Sequence, residues 1–321
     1  MGLSLVFASP LLRFYVTPRV EKAPVDVRVT STSIGSGSYF SPKLRTVVTN
    51  ARLQNILVAN GDPSRSTRDV AVISLFSRTR DLARGDVDFG SSVVAFDRRT
   101  GDAVDCCGAH PKAAGLTVKF PFGTRRSTYS FWDATARQAY PARFERSATL
   151  DGIRVYEFET TVPSTVIGTQ QIPGFIVAHP EMKTVAALRT YRATTRLWVE
   201  PTTGVILRAA QRSRQWLAGP TGGTLLSLSK VWFATDRATV SANVKRARAE
   251  LLSLRLVRAY VPVGGLCAGV LLAAAGVLLL LRSGAGAMPH GGSSAAASTG
   301  DPGLEPAARS DAELSEPAPT T

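Results

Sequence analysis

The sequence predicts a mainly β protein: a large antiparallel domain, built as a meander or partly closed barrel with some helix, followed by a helical stalk and a transmembrane helix. Three observations predict this fold class. Short β-rich runs recur from Val25 to about Thr235, turn signals separate them, and a charge-free apolar segment lies near the carboxyl end. Parallel βαβ units are disfavoured because they need long helical crossovers.

The β-rich runs alternate apolar with polar residues, as Arg154–Glu159 does, which is the period of a half-buried strand. The predicted strands are Val25–Thr30, Val70–Ser77, Ser92–Phe96, Leu116–Phe120, Thr128–Trp132, Arg154–Thr161, Thr195–Val199, Val205–Ala209 and Thr224–Val231.

Three turns organise these strands. Val94–Val104 and Leu197–Leu207 each read as strand, polar turn with glycine, strand, and Asp151-Gly152 marks a third tight turn. Gly35–Ser38 reads as a turn or linker, since no Gly-Lys-Ser/Thr follows to make a phosphate loop.

Ala259–Leu281 carries no charged residue and reaches about 34 Å as a helix, enough to cross a hydrocarbon core of about 30 Å. A buried core helix is the alternative. We therefore predict residues 17–235 as a β-rich extracytoplasmic domain, 236–258 as a stalk, 259–281 as a transmembrane helix and 282–321 as a disordered cytoplasmic tail. Residues 1–16 are expected to be a truncated membrane segment, either a shortened first helix or a partial interfacial insertion.

The stalk places apolar residues at helical spacing, with basic residues on its other faces. These bases are candidates for contact with lipid headgroups. The alternative is an ordinary amphipathic helix packed on the domain. The headgroup candidates are Lys245, Arg246, Arg248, Arg255 and Arg258.

The formal net charge of +14 favours anionic partners such as phospholipid headgroups, acidic glycolipids or nucleic acid. A solvated basic surface is the alternative, because the arginines are scattered. We expect no nucleic-acid partner, since that would require a cytoplasmic domain.

Candidate chemistry is sparse. Adjacent Cys106 and Cys107 can close a vicinal disulfide, bind a soft metal with His110, or remain reduced and buried. No Gly-x-Ser-x-Gly elbow is present. We therefore expect no catalytic residue, no cofactor and no established metal site. A dense aromatic group is expected to be core, or in part to line a cavity for acyl chains: Phe120, Phe122, Phe131, Trp132, Tyr140 and Phe144.

Several segments together resemble an actinobacterial, membrane-anchored family of unassigned function that is labelled the porin PorA family: Leu12–Arg19, Ala95–Gly101, Cys106–Gly108, Lys119–Thr124, Phe131–Thr135 and Leu197–Pro201. The resemblance implies an ectodomain outside the cytoplasmic membrane between two transmembrane helices. That architecture is similar to class B scavenger receptors, in which an apolar conduit carries lipid. Some family members are tied to envelope lipid and glycolipid assembly and to polar growth.

The basic stalk alone would place the large domain in the cytoplasm by the positive-inside rule, but large domains translocate largely regardless of such charge. The resemblance therefore implies a cell-membrane protein whose domain binds or transfers envelope lipid or glycolipid. Expected partners are membrane lipids, including anionic lipid or glycolipid, and other envelope-assembly membrane proteins. The alternative is a scaffold for envelope-assembly or polar-growth proteins. A porin is less favoured because a pore needs a closed barrel or several helices, and so is an enzyme.

Overall fold

The predicted meander is present as one antiparallel sheet. The computed structural model describes residues 22–177, 181–219, 223–255 and 270–279. Over these residues the elements are β1 (Arg28–Ser41), β2 (Thr46–Gly61), β3 (Val70–Asp81), β4 (Gly85–Asp97), β5 (Tyr129–Asp133), β6 (Gln138–Leu150), β7 (Ile153–Pro173), a 3-10 turn (Gly174–Val177), β8 (Thr184–Val199), β9 (Ile206–Ala218), β10 (Thr224–Thr235) and α1 (Arg237–Arg255).

The described strands pair in the order β4-β3-β2-β1-β10-β9-β8-β7-β6-β5. Two meanders, β1 to β4 and β5 to β10, are joined by antiparallel pairing of β1 with β10. The result is a curved half-barrel whose two edge strands are β4 and β5. The prediction of a mainly antiparallel β protein is confirmed.

The connector between β4 and β5, residues 98–128, forms isolated bridges with both edge strands. Val93 of β4 bridges His110, and Phe131 of β5 bridges Leu116. Leu116 and Phe120 pack with Phe158 in a core cluster. The predicted strand Leu116–Phe120 is therefore wrong as a strand: this segment covers the sheet, and its apolar residues fill the core instead of extending a ladder.

The two tight turns predicted between β8 and β9 and between β6 and β7 are both present. Glu200 accepts hydrogen bonds from the backbone N–H groups of Thr202 and Thr203, at 2.9 and 2.8 Å, between β8 and β9. Gly204 has φ +75°, and a Cβ there would lie 2.0 Å from the carbonyl oxygen of Phe120. Only glycine permits this backbone approach.

Gly35–Ser38 lies inside β1, so its interpretation as a turn or linker was wrong. A Cβ on Gly35 or Gly37 would meet the backbone oxygen of Trp232 or Lys230, at 2.0 and 2.2 Å. The glycines in this stretch allow β1 and β10 to approach closely. Strands β2 and β6 were not predicted, because polar residues such as Asn50 and Arg52 interrupt their apolar pattern.

Helix α1 packs on the sheet through Val240, Val244 and Ala247, which are buried against Val155 and Leu207. Asp236 caps the helix, accepting the backbone N–H of Thr239 at 2.7 Å.

The chain divides into two compact units, Met1–Ala273 and Ala274–Thr321. The half-barrel and α1 belong to the first unit, and residues 274–279 of the second are helical. Within the described part of the chain, no helix has both the length and the apolar character needed to span a bilayer. Of the predicted span Ala259–Leu281, only residues 270–279 are described. The predicted segments 1–16 and 282–321 lie outside the described residues.

Candidate functional site

An open groove of about 890 Å³ crosses the centre of the sheet. Its lining comes from six neighbouring strands, β2, β1, β10, β9, β8 and β7. Antiparallel strands lie about 4.8 Å apart, so such a groove extends roughly 24 Å across the sheet. This volume lies within the range of small-molecule sites in proteins.

The groove contains what we term the basic row: Lys230 on β10, Arg214 on β9 and Arg192 on β8. Lys230 pairs directly with Arg214, and Arg214 pairs directly with Arg192. Residues that are directly opposite in a sheet share one face, so the three cations lie side by side across adjacent strands.

A second row lies two residues along and on the same face as the basic row. Trp232 pairs with Arg212, which pairs with Thr194, and Thr194 pairs with Thr161. All four residues line the groove. Trp232 is 41% exposed, which leaves its aromatic side chain available to a ligand.

The charge of the groove has one sign. Four cations, Arg192, Arg212, Arg214 and Lys230, contribute to the lining, and none of the described lining residues is an aspartate or glutamate. Among the described residues, none of these four forms an ion pair within 4.0 Å. The guanidinium of Arg214 lies 5.1 Å from the centre of the Trp216 ring. The local charge is therefore suited to an anion.

Irregular strand pairing borders the groove. The β1–β2 ladder shifts register between Gly37 and Tyr39, where Asn50 adopts φ +51° on the partner strand. The β7–β8 ladder shifts between Val162 and Thr165. Bulges increase local twist and bend a strand, which is consistent with a concave surface between them.

Sequence reasoning missed the basic row. The signal that was available is Arg212-Ser213-Arg214, two arginines at strand spacing, which must share a face if the segment is a strand. Arg192 and Lys230 lie more than ten positions away along the chain, so only the pairing register brings them beside Arg214.

The predicted aromatic group separates into packed core and surface. Phe120 is fully buried, and its ring lies 4.7 Å from that of Phe158, with Phe131 and Phe144 packed against the same cluster. Tyr140 belongs to a second buried cluster. Phe131 and Trp132 also line a small depression of about 160 Å³. This volume is too small for a long acyl chain.

Phe122 lies beside a buried lysine. The Nζ of Lys119 is 4.1 Å from the centre of the Phe122 ring and has no hydrogen-bond partner among the described residues. The lysine is 7% exposed. Burial lowers its pKa to about 8, although Asp97 and Glu250 act in the opposite direction.

Cys106 and Cys107 are joined as a vicinal disulfide in the β4–β5 connector. The guanidinium of Arg65, in the β2–β3 turn, donates a hydrogen bond to the carbonyl oxygen of Cys107. His110 is instead bound through its backbone to Val93. Within the described ranges, no group of three His, Cys, Asp or Glu side chains is placed to hold a metal ion.

The predicted headgroup contacts lie on α1 or beyond it. Lys245, Arg246 and Arg248 are exposed, and Arg248 donates a hydrogen bond to the carbonyl oxygen of Asp151 in the β6–β7 turn. The Arg255 side chain and Arg258 lie outside the described residues. Lys245, Arg246 and Arg248 are not among the described residues that line the groove.

The fold and groove define a β-rich domain with an open surface lined by basic residues. The family model for Porin PorA matches residues 1–278, and the chain belongs to this family. The predicted resemblance is thereby confirmed. A Porin PorA from Corynebacterium amycolatum is 33% identical over 49 residues, which cover 15% of this chain and 13% of that protein.

Two solved structures resemble the chain only distantly. A protein from Parabacteroides distasonis designated a lipoprotein is 9% identical, covering 66% of this chain and 95% of that one, with a TM-score of 0.20. An exported protein of YmcC-like fold from Bacteroides fragilis is 9% identical, covering 67% and 98%, with a TM-score of 0.22.

Proposed function

We propose that this protein is a membrane-anchored cell-envelope protein whose β domain lies outside the cytoplasmic membrane and binds or transfers envelope lipid or glycolipid. The family assignment supports an envelope location. The role is one of binding and carries no catalytic step. The observation that carries the proposal is the open groove across six strands.

The groove offers both kinds of contact that an amphiphile needs. Trp232 supplies an exposed aromatic face for the apolar part of a ligand. Ser36, Thr161 and other hydroxyl-bearing residues supply hydrogen-bonding groups for a polar head. Each acyl methylene removed from water contributes about 0.8 kcal/mol, so a chain lying along part of the groove adds to the affinity for an amphiphile.

The proposal is tested by measuring whether the full-length protein carries a bound lipid. After extraction from its own membrane in a nonionic detergent and extensive washing, native mass spectrometry and lipid extraction should show a bound lipid. Trp232→Ala should lower its occupancy several-fold, because the exposed ring of the groove is lost. Phe89→Ala is the matched control: Phe89 is an exposed aromatic residue on β4 and does not line the groove. Protein free of lipid, or equal loss in both variants, would contradict the proposal.

A scaffold function is the second candidate, and one observation favours it. Phe76 on β3 and Phe89 on β4 are both exposed and lie 6.3 Å apart between ring centres, forming an apolar pair on the surface. Exposed apolar patches often mark protein interfaces. Lipid-free protein, together with loss of one defined envelope partner in Phe89→Ser but not in Trp232→Ala, would favour the scaffold.

A further inference from the structure

The geometry points to a phosphate ester as the polar head recognised in the groove, and we propose that the basic row is its binding site. This inference rests on the proposed function and specifies the chemistry of the ligand. It concerns Lys230, Arg214 and Arg192, with Arg212 in the adjacent row.

The basic row is electrostatically unfavourable by itself, because like charges placed directly opposite on adjacent strands destabilise a sheet. Lys230 faces Arg214, and Arg214 faces Arg192. Acidic neighbours relieve such repulsion elsewhere in this sheet: Arg78 is paired with Asp86 at 2.7 Å, and Arg196 with Glu159 at 2.6 Å. No described carboxylate does this for the basic row, so an external anion is the missing partner.

The spacing of the three cations suits an anion with several acceptor oxygens. Lys230 and Arg192 lie two strands apart, so their Cα atoms are separated by roughly 10 Å. Their long side chains can converge on one group placed above Arg214. A phosphate ester presents several acceptor oxygens to such converging donors, and arginine binds phosphate through two parallel N–H bonds. A neutral sugar would leave the three positive charges uncompensated.

The residues around the basic row suit an amphiphile. Ser38 on β1 pairs with Lys230 and extends the row by a hydroxyl group. Trp232 follows two positions after Lys230 on the same face. A head held at the row therefore lies beside the exposed indole, where the apolar part of an amphiphile is expected. The phosphate ester can belong to a lipid headgroup or to a free, water-soluble molecule, and the experiment distinguishes these sources.

The experiment uses the full chain in a nonionic detergent and three probes: glycerol phosphate, dihexanoyl-phosphatidylglycerol and the neutral dihexanoylglycerol. Binding is measured by titration calorimetry. The variant is Lys230→Gln/Arg192→Gln. The matched control is Lys43→Gln/Arg45→Gln, which removes the same two charges from the exposed β1–β2 turn. Because the variant removes repulsion, its unfolding temperature should not fall.

We expect both phosphate probes to bind the wild type and the control, and the groove variant to bind them at least about tenfold more weakly, since two donors of charge-assisted hydrogen bonds are lost. Affinity of the wild type should also fall with added salt. Tighter binding of the phospholipid identifies a lipid headgroup as the source, and equal affinities identify a soluble phosphate ester.

Two results overturn the inference: dihexanoylglycerol binding as tightly as the phospholipid, or groove variant and control binding the phospholipid equally. A co-purified neutral lipid with either result leaves the proposed function intact. Glycerol phosphate binding by a protein that neither carries nor takes up lipid would contradict the proposed function while retaining the basic row as a phosphate site.

Discussion

The ammonium of Lys119 occupies an environment that disfavours its charge. Burial lowers the pKa of this lysine from its ordinary value of 10.5 to about 8, even though Asp97 and Glu250 favour the charged form. The centre of the Phe122 ring lies 4.1 Å from its Nζ. Between these two pH values the unfolded chain binds a proton that the folded chain has released. The free energy of unfolding should therefore rise as the pH increases from about 8 to about 10.5.

Lys119→Met should abolish that rise, because methionine fills similar space without a charge. At pH 7 the variant should be more stable by on the order of 2 kcal/mol, the desolvation penalty less the lost cation–π contact. Denaturant unfolding of the full chain in nonionic detergent between pH 7 and pH 10 measures this. Lys43→Met, in an exposed turn, should follow the wild type. Parallel wild-type and Lys119→Met profiles would show that the buried ammonium does not titrate in this range.

At the same scale, turn residues were predictable and groove residues were not. Glu200 and Gly204 define their turn by local hydrogen bonding and positive φ, which five adjacent residues suffice to encode. The glycines of β1 were misread because the reason for them, the backbone of β10, is about 200 positions away. The cations of the basic row likewise become neighbours only through strand pairing.

The connector between β4 and β5 ties the two edges of the half-barrel together. Leu116 is buried in the main core cluster, and its carbonyl oxygen accepts the backbone N–H of Trp132 in β5 at 2.8 Å. Strand alternation predicted a strand here, since local apolar character cannot distinguish a ladder from a core-covering segment. The connector therefore closes the sheet edge, and this role depends on tertiary packing.

Leu116→Ala should lower the free energy of unfolding by about 2–5 kcal/mol, the usual cost of a cavity at a buried leucine. The amide of Trp132 should also lose protection in hydrogen exchange, because its acceptor segment is loosened. Leu82→Ala is the control: Leu82 is exposed, and its removal should change stability by no more than about 0.5 kcal/mol. Similar losses in both variants would mean that the connector does not anchor the edge.

At the scale of the whole molecule, the sequence predicted the class of fold and the structure supplied the site. Repeated β runs and hairpin turns were enough for an antiparallel sheet, and the family match confirmed the resemblance. The closing pair, β1 with β10, was not predictable, because it joins the ends of the domain and no local pattern encodes it. The groove exists only because that pair brings the two meanders together.

The proposed topology makes a prediction for the intact cell. In a Cys267→Ser background, Leu44→Cys places a thiol in the exposed β1–β2 turn, and Ser310→Cys places one in the predicted cytoplasmic tail. A membrane-impermeant maleimide should label Leu44→Cys in intact spheroplasts, and Ser310→Cys only after lysis. Because they form a disulfide, Cys106 and Cys107 should remain unlabelled in both variants. The reverse labelling pattern would place the groove in the cytoplasm, where envelope lipid outside the membrane is out of reach.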